Sequence, residues 1–209
     1  MTVDAWLAEY GEASGKRLIY VHGDDMKGTS LTLLQARGIE AIQLEGAFDL
    51  HFIQFLEQKS EDVKWVRADA VLGDLLTRTE DSAGVVDADG RTLEQRVEER
   101  FREAIGEDGP PVKVVRLDTE DVSALLISGE EERRMAQWSS MWGQGMAMPE
   151  QRTLLVHRDH PLVSRALSET GEQGRDICRH IYDLARLSVG ALPPDALPAF
   201  ISRSQSLLL

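Results

Sequence analysis

The chain has 209 residues, of which 42% are hydrophobic, enough to build one large domain or two small ones. Its 36 acidic and 23 basic residues give a net charge of -13 at pH 7. An acidic surface repels nucleic acids and anionic membranes, so we expect neither as a main partner. The one cysteine excludes an internal disulfide, the first residues lack a signal-peptide pattern, and no apolar run reaches the roughly 20 residues of a membrane span. We therefore expect a cytoplasmic protein.

Strand and helix patterns alternate through the first third of the chain. The predicted strands and helices are, in order, residues 17–22, 31–37, 39–44, 48–58 and 63–67. Such alternation is typical of right-handed parallel crossover units. The sequence therefore predicts a small three-layer α/β domain. With the acidic connecting segment that follows, which includes a predicted helix at 93–105, we place it at residues 1–108.

The pattern becomes mixed beyond a Gly-Pro-Pro turn signal at 109–111. Predicted strands lie at 112–117, 123–127 and 153–156, and predicted helices begin near Ser128 and cover 161–167, 176–189 and 198–209. Strands followed by consecutive helices are typical of α+β folds. We therefore expect a mixed α+β domain at residues 109–209 that ends in a helical bundle.

Three aspartates in the first domain resemble a phosphate-accepting site. Asp24 and Asp25 follow the first predicted strand and Asp69 follows the third, as in receiver domains, where carboxylates hold magnesium and one accepts phosphate. A receiver also needs two further strands with a hydroxyl residue and a lysine, whereas this chain turns acidic and helical. Aspartates also commonly end strands and begin helices, which is the simpler interpretation.

The stretch His157-Arg158-Asp159-His160 could suggest a kinase-like loop or a pair of metal ligands. A kinase loop would need an asparagine where Ser164 stands, and two histidines need further ligands to hold a metal. We predict instead that this loop caps a helix beginning at Pro161. Because the chain also lacks Walker, Gly-x-Gly-x-x-Gly and Gly-x-Ser-x-Gly motifs, no catalytic, cofactor-binding or metal-binding residue is predicted.

A predicted helix after residue 130 has one face of methionine and tryptophan. Its apolar residues fall at steps of three and four: Met135, Trp138, Met141 and Trp142. Methionine is flexible and polarizable, and together with tryptophan it is typical of surfaces that accept varied partners. The residues alone leave both alternatives open, an exposed binding surface or a part of the core.

The last 34 residues carry three acidic and three basic side chains and many apolar ones. One apolar stripe at helical spacing comprises Ile177, Ile181, Leu184 and Leu187. The apolar character extends to the end of the chain through Phe200, Ile201, Leu207 and Leu208. A terminal helix this apolar needs a covering partner. We therefore predict a homodimer whose interface includes these eight residues, two helices from each chain forming a four-helix bundle.

Several short segments, in order along the chain, resemble the bacterial heat-shock protein 90 chaperones, the HtpG family. Segments similar to the end of that family's middle domain are Leu18-Ile19-Tyr20-Val21, Gly38-Ile39-Glu40-Ala41 and residues 52–59 with Val63-Lys64. Segments similar to its C-terminal domain are Val115-Arg116-Leu117, Arg133-Arg134-Met135, Gly143-Gln144, residues 159–163, residues 181–185, Gly190 and residues 200–209. The resemblance covers nearly the whole chain, although none of these motifs is catalytic.

The resemblance implies a protein-folding chaperone of the stress response that homodimerises and binds unfolded client proteins. Client contacts would fall on the helix with Met135, Trp138, Met141 and Trp142, and on the middle-domain helix with Phe52 and Phe55. The family's ATP-binding motifs are absent, so we expect no enzymatic activity and no cofactor in this chain, ATP and magnesium belonging to the full-length chaperones. The alternative hypothesis is the receiver-like phosphate acceptor that uses Asp24, Asp25 and Asp69.

Overall fold

The computed structural model describes residues 3–12, 14, 16–22, 29–46, 48–59, 64–68, 70–72, 90–117, 119–128 and 152–208. The chain forms two compact units, Met1–Leu75 and Leu76–Leu209. Each unit contains helices and one three-stranded sheet, so the mixed α and β composition expected from the sequence is confirmed.

The first unit is built around a parallel sheet. Its elements are α1 (Val3–Tyr10), β1 (Arg17–His22), α2 (Thr29–Ala36), β2 (Ile42–Leu44), α3 (Asp49–Lys59) and β3 (Lys64–Arg67). The strand order is β2-β1-β3, and β1 runs parallel to both neighbours. The central strand is buried on both faces through Leu18, Ile19, Tyr20 and Val21, which explains its continuous apolar run. The predicted parallel pairing in this region is confirmed.

Helices α1, α2 and α3 each contribute a buried residue to the first unit. Trp6 of α1 is buried and its indole N–H donates to the carbonyl oxygen of Glu40 at 3.2 Å. Leu34 of α2 and Ile53 of α3 are also buried. The backbone N–H of Trp65 in β3 donates to the Glu57 carboxylate of α3 at 3.2 Å, which joins this helix to the sheet.

The second unit has a mixed sheet and a layer of helices. Its elements are α4 (Leu93–Ile105), β4 (Val112–Val115), β5 (Ala124–Ser128), β6 (Arg152–His157), α5 (Pro161–Ser168), α6 (Gly171–Ser188), a short 3-10 helix (Pro194–Ala196) and α7 (Leu197–Leu208). The strand order is β4-β6-β5, in which β6 is parallel to β4 and antiparallel to β5. The predicted mixed pattern is therefore confirmed.

Helix α4 starts at a capping box and contributes to the core of the second unit. The side chain of Thr92 accepts from the Gln95 N–H, and the Gln95 side chain accepts from the Thr92 N–H at 2.9 Å. These reciprocal bonds satisfy two of the N–H groups that a helix start leaves without a partner. The helix then buries Val97, Phe101 and Ala104. The helix predicted at 93–105 is confirmed, and its residues Val97 and Phe101 lie four positions apart on the buried face.

Two predicted starts differ from the structure by three residues or more, and one of them is strand β2, which begins at Ile42 rather than at Ile39. Helix α6 begins at Gly171 rather than at Asp176, because its first turn contains two glycines, which sequence propensity counts against a helix. Ser128, the predicted cap of the next helix, is the last residue of strand β5. The helix predicted after Ser128 lies outside the described residues.

Candidate interaction surfaces

The apolar stripe of α6 is divided between the core and the surface. Ile177 and Ile181 are buried together with Cys178 and Ala185, and they pack with residues of α4, α5 and the sheet. Leu184 is half-buried and Leu187 is 49% exposed. Of the interface residues predicted on this helix, a second chain can therefore reach those near its C-terminal end.

The first turns of α6 are fixed on α4 and α5 by close backbone contacts. A Cβ atom at Gly174 would lie 2.5 Å from the carbonyl oxygen of Glu169 and 2.8 Å from that of Ala166, so only glycine fits here. Arg100 of α4 donates to the carbonyl oxygen of Glu169 at 2.8 Å. Arg179 of α6 donates to the carbonyl oxygen of Ala104 at 3.0 Å. This packing places α6 firmly in the second unit.

Helix α7 has an inner face that contacts its own chain. No residue of α7 is fully buried. The ring of Phe200 stacks on His180 of α6, with the ring centroids 5.1 Å apart and the planes 10° apart. Leu207 packs against the core, and Arg203 pairs with Asp183 of α6. At about 100° per residue, Phe200, Arg203 and Leu207 fall within an arc of about 60°.

A second side of α7 is apolar and exposed. Leu197 is 42% exposed, Ile201 48% and Leu208 87%. At about 100° per residue these three fall within an arc of about 40°, centred roughly 110° from the inner face. We call Leu197, Ile201 and Leu208, together with Leu187 at the end of α6, the outer patch. It includes three of the eight predicted interface residues.

Helix α3 of the first unit exposes phenylalanine side chains. Phe48, just before the helix, is 80% exposed, and Phe52 and Phe55 are 59% and 49% exposed. The rings of Phe52 and Phe55 are stacked with centroids 6.5 Å apart, and the Lys59 ammonium lies 4.7 Å from the Phe55 ring centroid. We call Phe48, Phe52 and Phe55 the aromatic face. It contains both client-contact residues predicted on this helix.

Several predicted site residues lie outside the part of the chain that the structure describes. These are the client-contact candidates Met135, Trp138, Met141 and Trp142 and the phosphate-acceptor candidates Asp24, Asp25 and Asp69. The hypotheses that depend on them stay predictions.

The histidines at 157 and 160 hold backbone groups around a cleft of about 640 Å³. The Leu162 N–H donates to Nδ1 of His160 at 3.1 Å, so His160 is the N-cap of α5 and the predicted capping role is confirmed. The Leu117 N–H donates to Nδ1 of the buried His157 at 3.3 Å. An Nδ1 atom that accepts a hydrogen bond carries no proton, so both rings are neutral as they stand.

The charges beside the histidine cleft are paired. Arg116 donates to Asp159 at 2.6 Å, and Arg158 pairs with both Asp159 and Glu94. Although burial raises the pKa of Asp159, the hydrogen bond from Arg116 and the charge of Arg158 outweigh it and hold that pKa below its usual value. These ion pairs tie the end of β4 and the start of α4 to the loop before α5.

Two further findings concern the described ranges. There, no group of three His, Cys, Asp or Glu side chains is arranged to hold a metal ion. None of the helices in those ranges has both the length and the apolar character that crossing a lipid bilayer requires.

Sequence reasoning missed the polar contact between α6 and α7. Asp183 and Arg203 are 20 positions apart in the chain, and both side chains are largely buried, with 9% and 15% exposed. The only signal was a balance of three acidic and three basic residues in the last 34, in a chain of net charge -13. That balance does not identify which residues pair.

Comparison with known proteins found relatives that share one name. No family model matches the chain. It is 29% identical over 160 residues to the chaperone protein HtpG of Porphyromonas gingivalis, an alignment that covers 73% of this chain and 23% of that protein. It is 24% identical over 200 residues to HtpG of Polaromonas sp., covering 92% and 31%, and 23% identical over 170 residues to HtpG of Bacteroides fragilis, covering 74% and 24%. The alignments cover 23–31% of the length of these relatives, and the chain is distantly similar to HtpG chaperones over most of its own sequence.

Proposed function

We propose that this chain is part of an HtpG-like chaperone, that it forms a homodimer through the outer patch, and that it binds unfolded client polypeptides. The similarity to HtpG over 73–92% of the chain supports the chaperone role. The observation that carries the proposal within the structure is the outer patch, an apolar side of α7 that turns away from its own chain.

A second copy of this chain is the occupant that suits the outer patch. Complete burial of a large apolar side chain stabilises an association by roughly 1.5–3 kcal/mol, and a two-fold interface counts each residue twice. The ends of α6 and α7 from each chain would then form a four-helix arrangement. Ile177 and Ile181, already buried in their own core, would support the interface from behind.

The aromatic face of α3 suits a client polypeptide. Exposed aromatic rings offer large apolar contact areas with little conformational entropy to lose, and a neighbouring ammonium group keeps the surface soluble. The predicted client contacts at Met135, Trp138, Met141 and Trp142 remain part of the proposal.

Light scattering and sedimentation of the chain at micromolar concentration test the dimer. We expect a dimer for the unchanged chain and at least about tenfold weaker association, about 1.4 kcal/mol, for Ile201→Asp, because each interface then buries two carboxylates. The matched control is Leu93→Asp, at a 37% exposed leucine of α4 outside the outer patch, which should leave the dimer intact. A monomeric wild-type chain, or an unchanged dimer in Ile201→Asp, would remove the dimer from the proposal.

Suppression of the aggregation of a chemically denatured protein tests client binding. We expect Phe52→Ser/Phe55→Ser to suppress aggregation less than the unchanged chain while its free energy of unfolding changes by no more than about 0.5 kcal/mol per site, since both side chains are exposed. Leu93→Ser serves as the control, a loss of exposed apolar area elsewhere. Equal suppression of aggregation by the unchanged protein and both variants would contradict a client-binding role of the aromatic face.

The phosphate-acceptor alternative has one structural point in its favour. The order β2-β1-β3 is also how flavodoxin-like sheets, with the order 2-1-3-4-5, begin. Incubation with acetyl phosphate and magnesium tests it, and stable labelling that is lost in Asp69→Asn would favour the alternative over the chaperone.

A further inference from the structure

The contact between α6 and α7 is weak in apolar burial and strong in polar interaction. The 12 residues of α7 include none that is fully buried. A single leucine, Leu207, packs against the core cluster, while the other inner contacts are the Phe200 ring on His180 and the Arg203 guanidinium on Asp183. Apolar packing alone therefore specifies the orientation of this helix poorly.

The pair of Asp183 and Arg203 is desolvated, and each oxygen of the Asp183 carboxylate accepts from an arginine. Oδ2 of Asp183 accepts from Nη2 of Arg203, and Oδ1 accepts from Arg186 at 3.3 Å. Asp183 is one of the few buried polar residues of the described chain. A buried charge that loses a partner is unfavourable, so with α7 in place over Asp183 the loss of the Arg203 guanidinium is costly.

The pair also restricts the rotation of α7 about its own axis. Arg203 lies roughly 140° around the helix from the centre of the outer patch on α7, at about 100° per residue. A guanidinium meets a carboxylate in a directional geometry, whereas leucine contacts slide easily. The His180–Phe200 stack lies three positions before the pair on both helices, so two directional contacts fix the helix at adjacent turns.

We infer that Asp183 and Arg203 are the positioning residues of the outer patch, an internal latch that holds α7 with Leu197, Ile201 and Leu208 turned toward a second copy of the chain. This inference rests on the proposed dimerisation and adds to it the contact that sets its geometry. The latch sets the rotation of α7 about its own axis. The core contacts of α6 provide the stability of the second unit.

The decisive variant is Arg203→Met, which keeps a long side chain and removes the charge. Its matched control is Arg186→Met, because Arg186 contacts the same carboxylate from α6 itself and does not bridge to α7. We expect at least tenfold weaker dimerisation in Arg203→Met and less than threefold in Arg186→Met, measured by sedimentation equilibrium. A second variant, Asp183→Asn/Arg203→Met, removes both charges of the α6–α7 pair and should recover part of the loss.

Hydrogen exchange of α7 in an Ile201→Asp background separates the latch from the dimer. There the outer patch is disabled, so protection of the amides at 197–208 comes from the chain's own contacts. We expect Arg203→Met to reduce that protection at least tenfold while the amides of residues 177–185 keep theirs. This measurement tests the latch even if the wild-type chain is a monomer. A monomeric wild-type chain by itself would contradict only the proposed dimer.

Three results would overturn the inference. The first is unchanged α7 protection in Arg203→Met, and the second is an equal effect of Arg186→Met on dimerisation. The third is labelling of the buried Cys178 by a thiol reagent in Arg203→Met under native conditions, which would mean that the pair supports the core of the second unit and not the position of α7.

Discussion

Helices α6 and α7 differ in how they use similar apolar sequences. Both are rich in large apolar residues, from which the sequence predicts one dimer interface. Helix α6 directs Ile177 and Ile181 into its own core, whereas α7 directs Ile201 and Leu208 into solvent. Helical periodicity therefore identifies the residues that share a face, but it does not show whether that face packs in the core or lies in solvent. Other contacts set the direction in which the face points, and in α7 this contact is the pair of Arg203 with Asp183.

The same substitution, isoleucine to alanine, should change the free energy of unfolding much more in α6 than in α7. Ile181→Ala should lower the free energy of unfolding of the second unit by about 2–5 kcal/mol, since it leaves a cavity beside a side chain with no exposure. Ile201→Ala should lower it by less than about 0.5 kcal/mol in the monomer, since that side chain is half exposed. Urea unfolding, followed at a concentration where the chain is monomeric, measures both.

Self-association should show the reverse order of effects for the two isoleucine variants. Ile201→Ala should weaken self-association more than Ile181→Ala does, once each is measured on folded protein. Similar unfolding costs for the two variants would mean that α7 is part of the core and that the outer patch is not available to a second chain.

A smaller effect tests how α4 and α6 begin. Thr92→Ala removes the capping box of α4 and should cost about 1 kcal/mol, within the usual range of about 0.5–2 kcal/mol. Thr170 occupies the N-cap of α6 without any side-chain capping bond, so Thr170→Ala should cost no more than a few tenths of a kcal/mol. Chemical denaturation of both variants under one set of conditions compares them. An equal loss would contradict the view that α6 starts where it does through packing at Gly174.

The strands and most helices could be predicted because their residues carry local signals. Strand β1 was predicted at its observed bounds from an uninterrupted apolar run, and α4 from a stripe of four-residue steps. The start of α6 could not, because Gly171 and Gly174 oppose a helix locally and are accepted only through contacts with Arg100 and the end of α5. Local propensity contains no information about such contacts between distant segments.

The candidate surfaces could be predicted only in part, for a related reason. The spacing of Phe48, Phe52 and Phe55 indicates one face, and the structure turns that face outward while Ile53 occupies the buried side of α3. The contact of Asp183 with Arg203 joins two helices at positions 20 residues apart in the chain. Pairing of that kind follows from the tertiary fold, so composition indicated that charges balance without indicating their partners.

We also expect a small loss of stability in mild acid, which arises at His157 and His160 before helix α5. Burial lowers the pKa of both His157 and His160 from the usual 6.5, and the charge of His157 lowers that of His160 further. The unfolded chain then binds more protons than the folded one below pH 6.5, so stability is fully present above that pH and declines as the pH falls toward the folded-state values.

The physical reason for this pH dependence is visible in the hydrogen bonds, because each Nδ1 atom accepts from a backbone N–H and a protonated ring cannot. Asparagine retains an acceptor near that position and does not titrate, and it is also a preferred N-cap. His157→Asn/His160→Asn should therefore show a shallower decline between pH 7 and pH 5 in thermal unfolding. Some slope should remain, since burial and the charge of Arg203 also lower the pKa of His180 at the α7 contact. If the double variant declined as steeply as the unchanged chain, the acid sensitivity would belong to the α6–α7 contact and not to the histidine cleft.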